Sequence, residues 1–256
     1  MDKAKKKSII SETKSILLII VLALFIRTFF LELFYVPTGS MRNTILEGDY
    51  IFSTKYDYGF SRYSIPFSPK IFTGRIWNKE PSPGDVIIMR PPHNMNERYI
   101  KRLIGMPGDK IQIIDNVIYI NDKPIKRSYE GSFLDKNGNK FHKYKETLPN
   151  GASYFAYKSE NNKDIQGIDM DNFGPYHVEH EKYFFLGDNR DNSGDSRYQL
   201  GTVHSENFIA KGRFIIFSSA LELWDANISI TEQVARVWMW ISSVRLDRFF
   251  KALYIT

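Results

Sequence analysis

Gly187-Asp188-Asn189-Arg190-Asp191-Asn192-Ser193-Gly194-Asp195-Ser196-Arg197 is the most unusual stretch of this 256-residue chain. Apart from its two glycines every residue is polar or charged. Apolar runs flank it: Lys182-Tyr183-Phe184-Phe185-Leu186 before, and residues 207–217 after. Short runs of aromatic and β-branched residues bounded by Gly, Asn, Asp and Ser read as strands, so the polar block is a loop between two of them. Its acidity invites a calcium site, but the D-x-[DN]-x-[DN]-G register with a closing Glu is missing. A plain polar turn is the other simple reading.

Working upstream, Asp49–Lys55, Asp85–Arg90, Arg98–Ile104 and Lys110–Ile120 have the same strand character. Pro81-Ser82-Pro83-Gly84, Pro91-Pro92 and Pro107-Gly108-Asp109 punctuate them, and Asp115-Asn116 and Asn121-Asp122 have hairpin-turn composition. The expected fold is mainly β. Residues 37–127 and 182–218 form one β-rich domain, and the polar stretch 128–181 is an inserted, partly β lobe that contributes little chemistry. Residues 56–82 make a second, loop-rich insertion. No internal repeat or low-complexity tract interrupts this pattern.

Two residues in these strands and turns are candidates for nucleophilic chemistry. In Tyr99-Ile100-Lys101-Arg102, strand alternation puts Tyr99, Lys101 and Leu103 on one face, so Lys101 has apolar neighbours on both sides. Burial strips hydration from an ammonium and lowers its pKa, which turns a lysine into a usable base. In Val36-Pro37-Thr38-Gly39-Ser40-Met41, a tight turn with a permissive glycine presents Ser40. Turn chemistry alone also explains such a serine.

The turn follows an apolar segment. Ile16 to Ile26 is uninterrupted, and after Arg27-Thr28 the pattern continues through Phe29-Phe30-Leu31 to Val36. Residues 16–36 have the length of a single transmembrane helix, which needs roughly 20 residues. Lys3, Lys5, Lys6, Lys7 and Lys14 precede it, so the positive-inside rule keeps the basic tail 1–14 cytoplasmic and places everything after Pro37 outside. No A-x-A-like site follows the segment, which argues for an uncleaved anchor at 15–36.

The formal charge is +6 with no cysteine, excluding a disulfide framework and a thiol nucleophile. Residues 1–14 and 236–256 each carry a net +3, while 37–235 balance to zero. Charge confined to the ends suits anionic lipid headgroups rather than a nucleic-acid groove. The C-terminal segment 219–256 reads as containing a basic amphipathic helix over 232–253, with Arg236, Arg245, Arg248, Lys251 and Trp240. It is expected either on the membrane surface or packed on the β core.

Taken together and in this order, the serine, lysine and polar blocks closely resemble those of bacterial type I signal peptidases, over roughly residues 25–217. Asn43 departs from the proline usual in the serine block, and Ile45 from the commoner leucine. The resemblance implies a signal-peptidase-like β domain and a membrane-bound serine endopeptidase. Its partners would be exported preproteins, whose signal peptides it cuts after small-x-small motifs, and membrane phospholipid. It implies a single-pass protein of the bacterial inner (plasma) membrane with the catalytic domain on the outer, periplasmic side.

By the same resemblance Ser40 is the nucleophile and Lys101 its general base. Thr38, with the Ser40 N–H, would serve the oxyanion. Ser193 would bond and orient Lys101, Asp195 and Arg197 would pair beside the site, and Asp188 would hold the loop. Val36, Met41, Ile45, Tyr99 and Ile100 would line substrate pockets, and a strand edge near Asp85–Arg90 would pair with the substrate.

No cofactor, metal or nucleic acid is expected. Ser11-Glu12-Thr13-Lys14 matches S-x-x-K but lies before the apolar segment, and His177 and His180 lack the H-E-x-x-H pattern. Two other classes compete with the leader-peptidase reading. One is a self-cleaving repressor, which requires a DNA-binding helix pair where this chain has its apolar segment. The other is a catalytically inert, membrane-tethered binding protein on the same fold.

Overall fold

A computed structural model describes residues 3–135, 137–161, 167–221 and 229–255. The first element is helix α1, Lys3–Phe29. Its side chains from Ile16 to Ile26 are exposed, Leu18 at 68% and Ile19 at 65%. The helix stops earlier than the 16–36 span expected. Residues Leu31–Tyr35 instead form strand β1, paired with β2 (Asp49–Thr54). The physical reason is Glu32, which Lys55 and Arg98 bridge at 3.0 and 2.7 Å, and whose carbonyl accepts from Ser53 Oγ. Phe34 and Val36 are then drawn into the core. Among the described residues no helix is long and apolar enough to cross a membrane.

Numbering only strands of four residues or more, the chain continues with β3 Val86–Met89, β4 Tyr99–Gly105, β5 Lys110–Ile114 and β6 Val117–Ile120. Next come β7 Lys126–Leu134, β8 Lys140–Thr147, β9 Ser153–Ser159 and β10 Phe173–His177. The last two are β11 Lys182–Leu186 and β12 Phe208–Ser218. The main sheet runs β1–β2–β12–β3–β4–β11, with short strands 203–204 and 251–252 added on β11 and β12. The protein is mainly β, and β2 to β6, β11 and β12 lie where the apolar runs place them.

Alternation sets the layers. Val86 and Ile88 point into one cluster with Phe34, Ile51, Ile100 and Ile215. Ile87 and Met89 point into another with Leu103, Phe185 and Phe208. A strand covered on both faces needs an unbroken apolar run, which β3 has. Lys101 sits opposite Ile87 in the ladder and so shares the second face. Asp115 and Asn116, both at positive φ (47° and 61°), close the β5–β6 hairpin, the geometry of a type I′ turn.

The inserted lobe holds the sheet β7–β8–β9, while β10 returns to pair with β5. The lobe is bonded to the polar loop: Tyr157 N–H donates to Asp188 O at 2.8 Å and Arg190 N–H to Tyr157 O at 2.9 Å. Buried Arg190 also pairs with buried Glu146 of β8. The lobe therefore braces the loop, a larger part than the sequence reading allowed it.

The C-terminal segment differs from the expected helix over 232–253. Helix α2 covers Ile230–Ser242, and the chain then folds back onto the β domain. Arg248 is buried against Asp49, with Nε and Nη2 donating to the two carboxylate oxygens at 3.0 and 2.6 Å. Arg245 Nη2 donates to the carbonyls of Glu47 and Ser219. Arg248 thus satisfies a buried carboxylate, and Arg245 is bonded to main-chain carbonyls of the β domain. The side chains of Arg236 and Trp240 lie outside the described residues. Arg248→Ala leaves Asp49 with Ser218 Oγ, the Leu46 N–H and the more distant Arg245 Nη2 at 4.0 Å. It should lower stability by about 2 kcal/mol, read as a urea-midpoint shift without a change in slope.

Candidate active site

Ser40 sits in a single 3-10 turn, Gly39–Met41, entered from the extended residue Thr38. The turn is fixed from both ends. Val36 N–H donates to Asp49 O and Gly48 N–H to Val36 O, and Ile45 N–H donates to Met41 O at 2.8 Å. Gly39 is not in the left-handed region. A Cβ there would meet Glu47 Oε1 at 2.8 Å, the far end of an exposed side chain that can shift aside.

From β4, Lys101 reaches the same point, and its Nζ donates to Ser40 Oγ at 2.7 Å and to Ile100 O at 3.2 Å. The lysine is 4% exposed. Burial lowers its pKa from the ordinary lysine value to about 8, and the Asp195 and Asp188 carboxylates oppose a further fall.

The polar loop closes the site from behind. Asn189 N–H donates to Ser40 O at 3.1 Å and its Nδ2 to Gly39 O at 3.0 Å. Asp188 accepts a two-pronged bond from Arg102, Nε–Oδ1 2.8 Å and Nη2–Oδ2 2.7 Å, both residues being buried. Asp195 takes a similar fork from Arg197 at 2.9 and 2.8 Å and accepts from the Gly187 N–H. Burial works against the Asp195 charge, but the guanidinium holds its carboxyl below the usual aspartate range.

Ser193 is buried next to Gly187, yet among the described residues its hydroxyl has no hydrogen-bond partner and makes no bond to Lys101, contrary to expectation. Gly187 needs to be glycine here: a Cβ would run into the Ser193 side chain and lie 2.5 Å from Ser40 O.

A cleft of about 620 Å³ opens over the pair, walled by Pro37–Ser40 on one side and Glu97–Lys101 on the other. Thr38, Tyr99 and Ile100 line it, as does Phe34, which the sequence reading did not single out. Val36, Met41 and Ile45 do not. Each is fully buried in the cluster that holds β1 and β3 together. Nor does β3 offer an edge, since β12 and β4 occupy its two sides. Unpaired edges lie elsewhere. Among the described residues strand β1 pairs only with β2, and Tyr99–Lys101 pair only with β3, because β11 joins β4 from Arg102 onward.

Arg102, Asn189 and the Arg190–Glu146 pair were not foreseen. Arg102 carried a usable signal: alternation buries it opposite Lys101, and a buried guanidinium requires a carboxylate. Among the described residues no group of His, Cys, Asp or Glu is placed to hold a metal ion.

A serine hydroxyl in bonding distance of a buried, easily neutralised lysine, open to a peptide-sized cleft, is the geometry of a Ser–Lys hydrolase. Known proteins resemble the chain closely. The profile of the signal peptidase family, peptidase S26, matches residues 9–217. A signal peptidase I of Rickettsia massiliae (strain Mtu5) is 53% identical over 251 residues, covering 96% of this chain and 93% of its own. One of Rickettsia typhi (strain ATCC VR-144 / Wilmington) is 52% identical, covering 97% and 95%. The crystal structure of a signal peptidase I from Enterococcus faecalis V583 is 25% identical over 52% of this chain and 97% of its own, with a TM-score of 0.31. The chain belongs to the signal peptidase family, peptidase S26. It is a serine peptidase, a hydrolase, which leaves the inert-scaffold reading unsupported, and its membership of the signal peptidase family leaves the repressor reading unsupported.

Proposed function

We propose that the chain is a membrane-tethered endopeptidase that removes signal peptides from exported preproteins after small-x-small motifs, with Ser40 as nucleophile and Lys101 as general base. The observation that carries this is the 2.7 Å contact between Ser40 Oγ and a lysine amine whose pKa burial has brought to about 8. The neutral amine takes the Ser40 proton as Oγ attacks the scissile carbonyl. The carbonyl electron pair moves onto oxygen, facing the Ser40 N–H and the Thr38 hydroxyl as donors. The resulting ammonium gives its proton to the departing amine, leaving an ester on Ser40. Lys101 then deprotonates the water that hydrolyses the ester.

The chain segment entering from β1 and the unpaired edge of Tyr99–Lys101 offer main-chain partners to an extended peptide laid along the cleft. Phe34, Tyr99 and Ile100 leave apolar room for small side chains. Asp188, Asp195 and Arg197 hold the loop. Ser193, with its unpartnered hydroxyl beside Ser40, is the residue to orient Lys101 once the site is occupied.

Helix α1 is the tether. Between Lys14 and Arg27 it rises about 20 Å. That is short of a hydrocarbon layer of about 30 Å, so both cations snorkel and the bilayer thins around it. The basic tail stays cytoplasmic, the β domain faces outward, and neither metal nor nucleic acid takes part.

Cleavage of a preprotein whose leader ends in Ala-x-Ala, followed against pH in detergent, tests the mechanism. A base must be unprotonated, so kcat/KM rises with pH through about 8 and levels above it. A profile that is flat or falls between pH 7 and 9 rules out Lys101 as the base.

A further inference from the structure

We propose that the cavity where α1 meets the β domain binds the phosphate of an anionic lipid headgroup. The cavity holds about 350 Å³. Four cations face it from four separate segments: Arg27 of α1, Lys55 after β2, Arg90 after β3 and Arg98 before β4. Glu32 is the one carboxylate among the lining residues, and it is engaged by Lys55 at 3.0 Å and Arg98 at 2.7 Å. Three positive charges are left over in a space partly closed to water.

The donors are not used up by the protein. Arg90 gives Nη2 to Ser68 Oγ at 2.9 Å and Nη1 to the Met95 carbonyl and lies over the Tyr63 ring, but its Nε is buried with no hydrogen-bond partner among the described residues. Burial lowers the Lys55 pKa, Glu32 opposes that, and the nearby Arg98 and Arg27 charges add to the fall. Cations crowded in this way are relieved by an anion with several acceptor oxygens, which a phosphate ester supplies and water does not.

The rim argues for a lipid as the source of that phosphate. Leu24 and Phe67 line the same cavity, and Phe67 is fully exposed to solvent. Leu24 belongs to the exposed apolar face of α1. A ligand seated here has its phosphate among the guanidinium groups and its acyl chains along Leu24 and Phe67. Arg98 also lines the catalytic cleft, so an occupied cavity steadies the residue next to Tyr99.

The proposal rests on the reading that α1 enters a bilayer. The test uses full-length protein in detergent with equal amounts of phosphatidylglycerol and phosphatidylcholine of the same acyl chains, the lipid retained being counted by native mass spectrometry. Wild type should retain phosphatidylglycerol in preference. Arg27→Gln and Arg90→Gln should each reduce that preference about fivefold, the worth of one cation near an anionic headgroup. Lys14→Gln, at the other end of the same apolar run, should leave it unchanged. No preference in wild type, or an equal loss in Lys14→Gln, overturns the site. Displacement of the lipid by excess glycerol 3-phosphate overturns the lipid assignment in favour of a soluble phosphate ester. Flotation with phosphatidylcholine vesicles reads bilayer entry by α1 separately, so failure of that reading and failure of the site are told apart.

Discussion

Ser40→Ala and Lys101→Ala should each lower kcat for preprotein cleavage by at least about 10³-fold, and the double variant should lose little more, because the two groups act as one unit. Folding should survive Ser40→Ala, since the hydroxyl's partner is the lysine alone and the turn is held by backbone bonds to Asn189, Asp49 and Arg42. Lys101→Ala removes a buried amine whose hydrogen bonds among the described residues go to Ser40 Oγ and Ile100 O and which lies 5.2 Å from the Tyr99 ring, so loss of these contacts alone should lower its melting temperature little. Lys101→Arg should not restore activity. A guanidinium stays charged at any workable pH and cannot accept the serine proton. Single-turnover kinetics with circular dichroism on the same samples checks this. Substantial turnover by Lys101→Ala would show that another base serves Ser40.

Asp188→Ala should be the most destabilising single change beside the site, by about 3–5 kcal/mol, because it strands the Arg102 guanidinium without its counter-ion. Both partners are 1% exposed, and among the described residues Arg102 has the carbonyls of Gly84 and Leu253 and the face of the Tyr154 ring to fall back on, none of them a counter-ion. For a chain of this size the loss corresponds to a melting temperature lower by on the order of 10 °C. Activity should fall as well, since the Asp188 N–H contacts Met41 Sδ and the next residue holds the carbonyls of the nucleophile turn. Asp188→Asn, which keeps one acceptor, should cost less. Equal melting of wild type and Asp188→Ala would mean that Arg102 finds water or another partner.

Strand positions were legible in the sequence because β-branched and aromatic runs must be buried somewhere, and Pro-Gly and Asn-Asp pairs must end them. The environment of Lys101 was legible for the same reason: its neighbours at two-residue spacing are Tyr99 and Leu103, and strand alternation has only two faces. What stayed hidden was long-range. Arg102 meets Asp188 across 86 residues and Arg190 meets Glu146 across 44, and no local pattern pairs them. Val36, Met41 and Ile45 show a related ambiguity. An apolar residue beside a nucleophile suits a substrate pocket and a core equally well, and only packing assigns these three to the core. The end of α1 was misjudged because apolar residues continue past it, while the decisive contact, Glu32 with Lys55 and Arg98, joins three distant segments.

Helix α1 passes into strand β1 with only Phe30 between them, and β1 leads into the nucleophile turn within a few residues. There is no slack in that path. With α1 as the proposed tether, the helix fixes one end at the lipid, the five-residue strand extends about 17 Å, and the Glu32 bridges stop it from swinging. On that proposal the hydroxyl of Ser40 is held at a set height over the bilayer, as on a ruler. A leader lodged in the membrane would then present only the peptide bonds at that height, and the place of the cut would be measured by distance from the lipid as well as by the side chains that flank it.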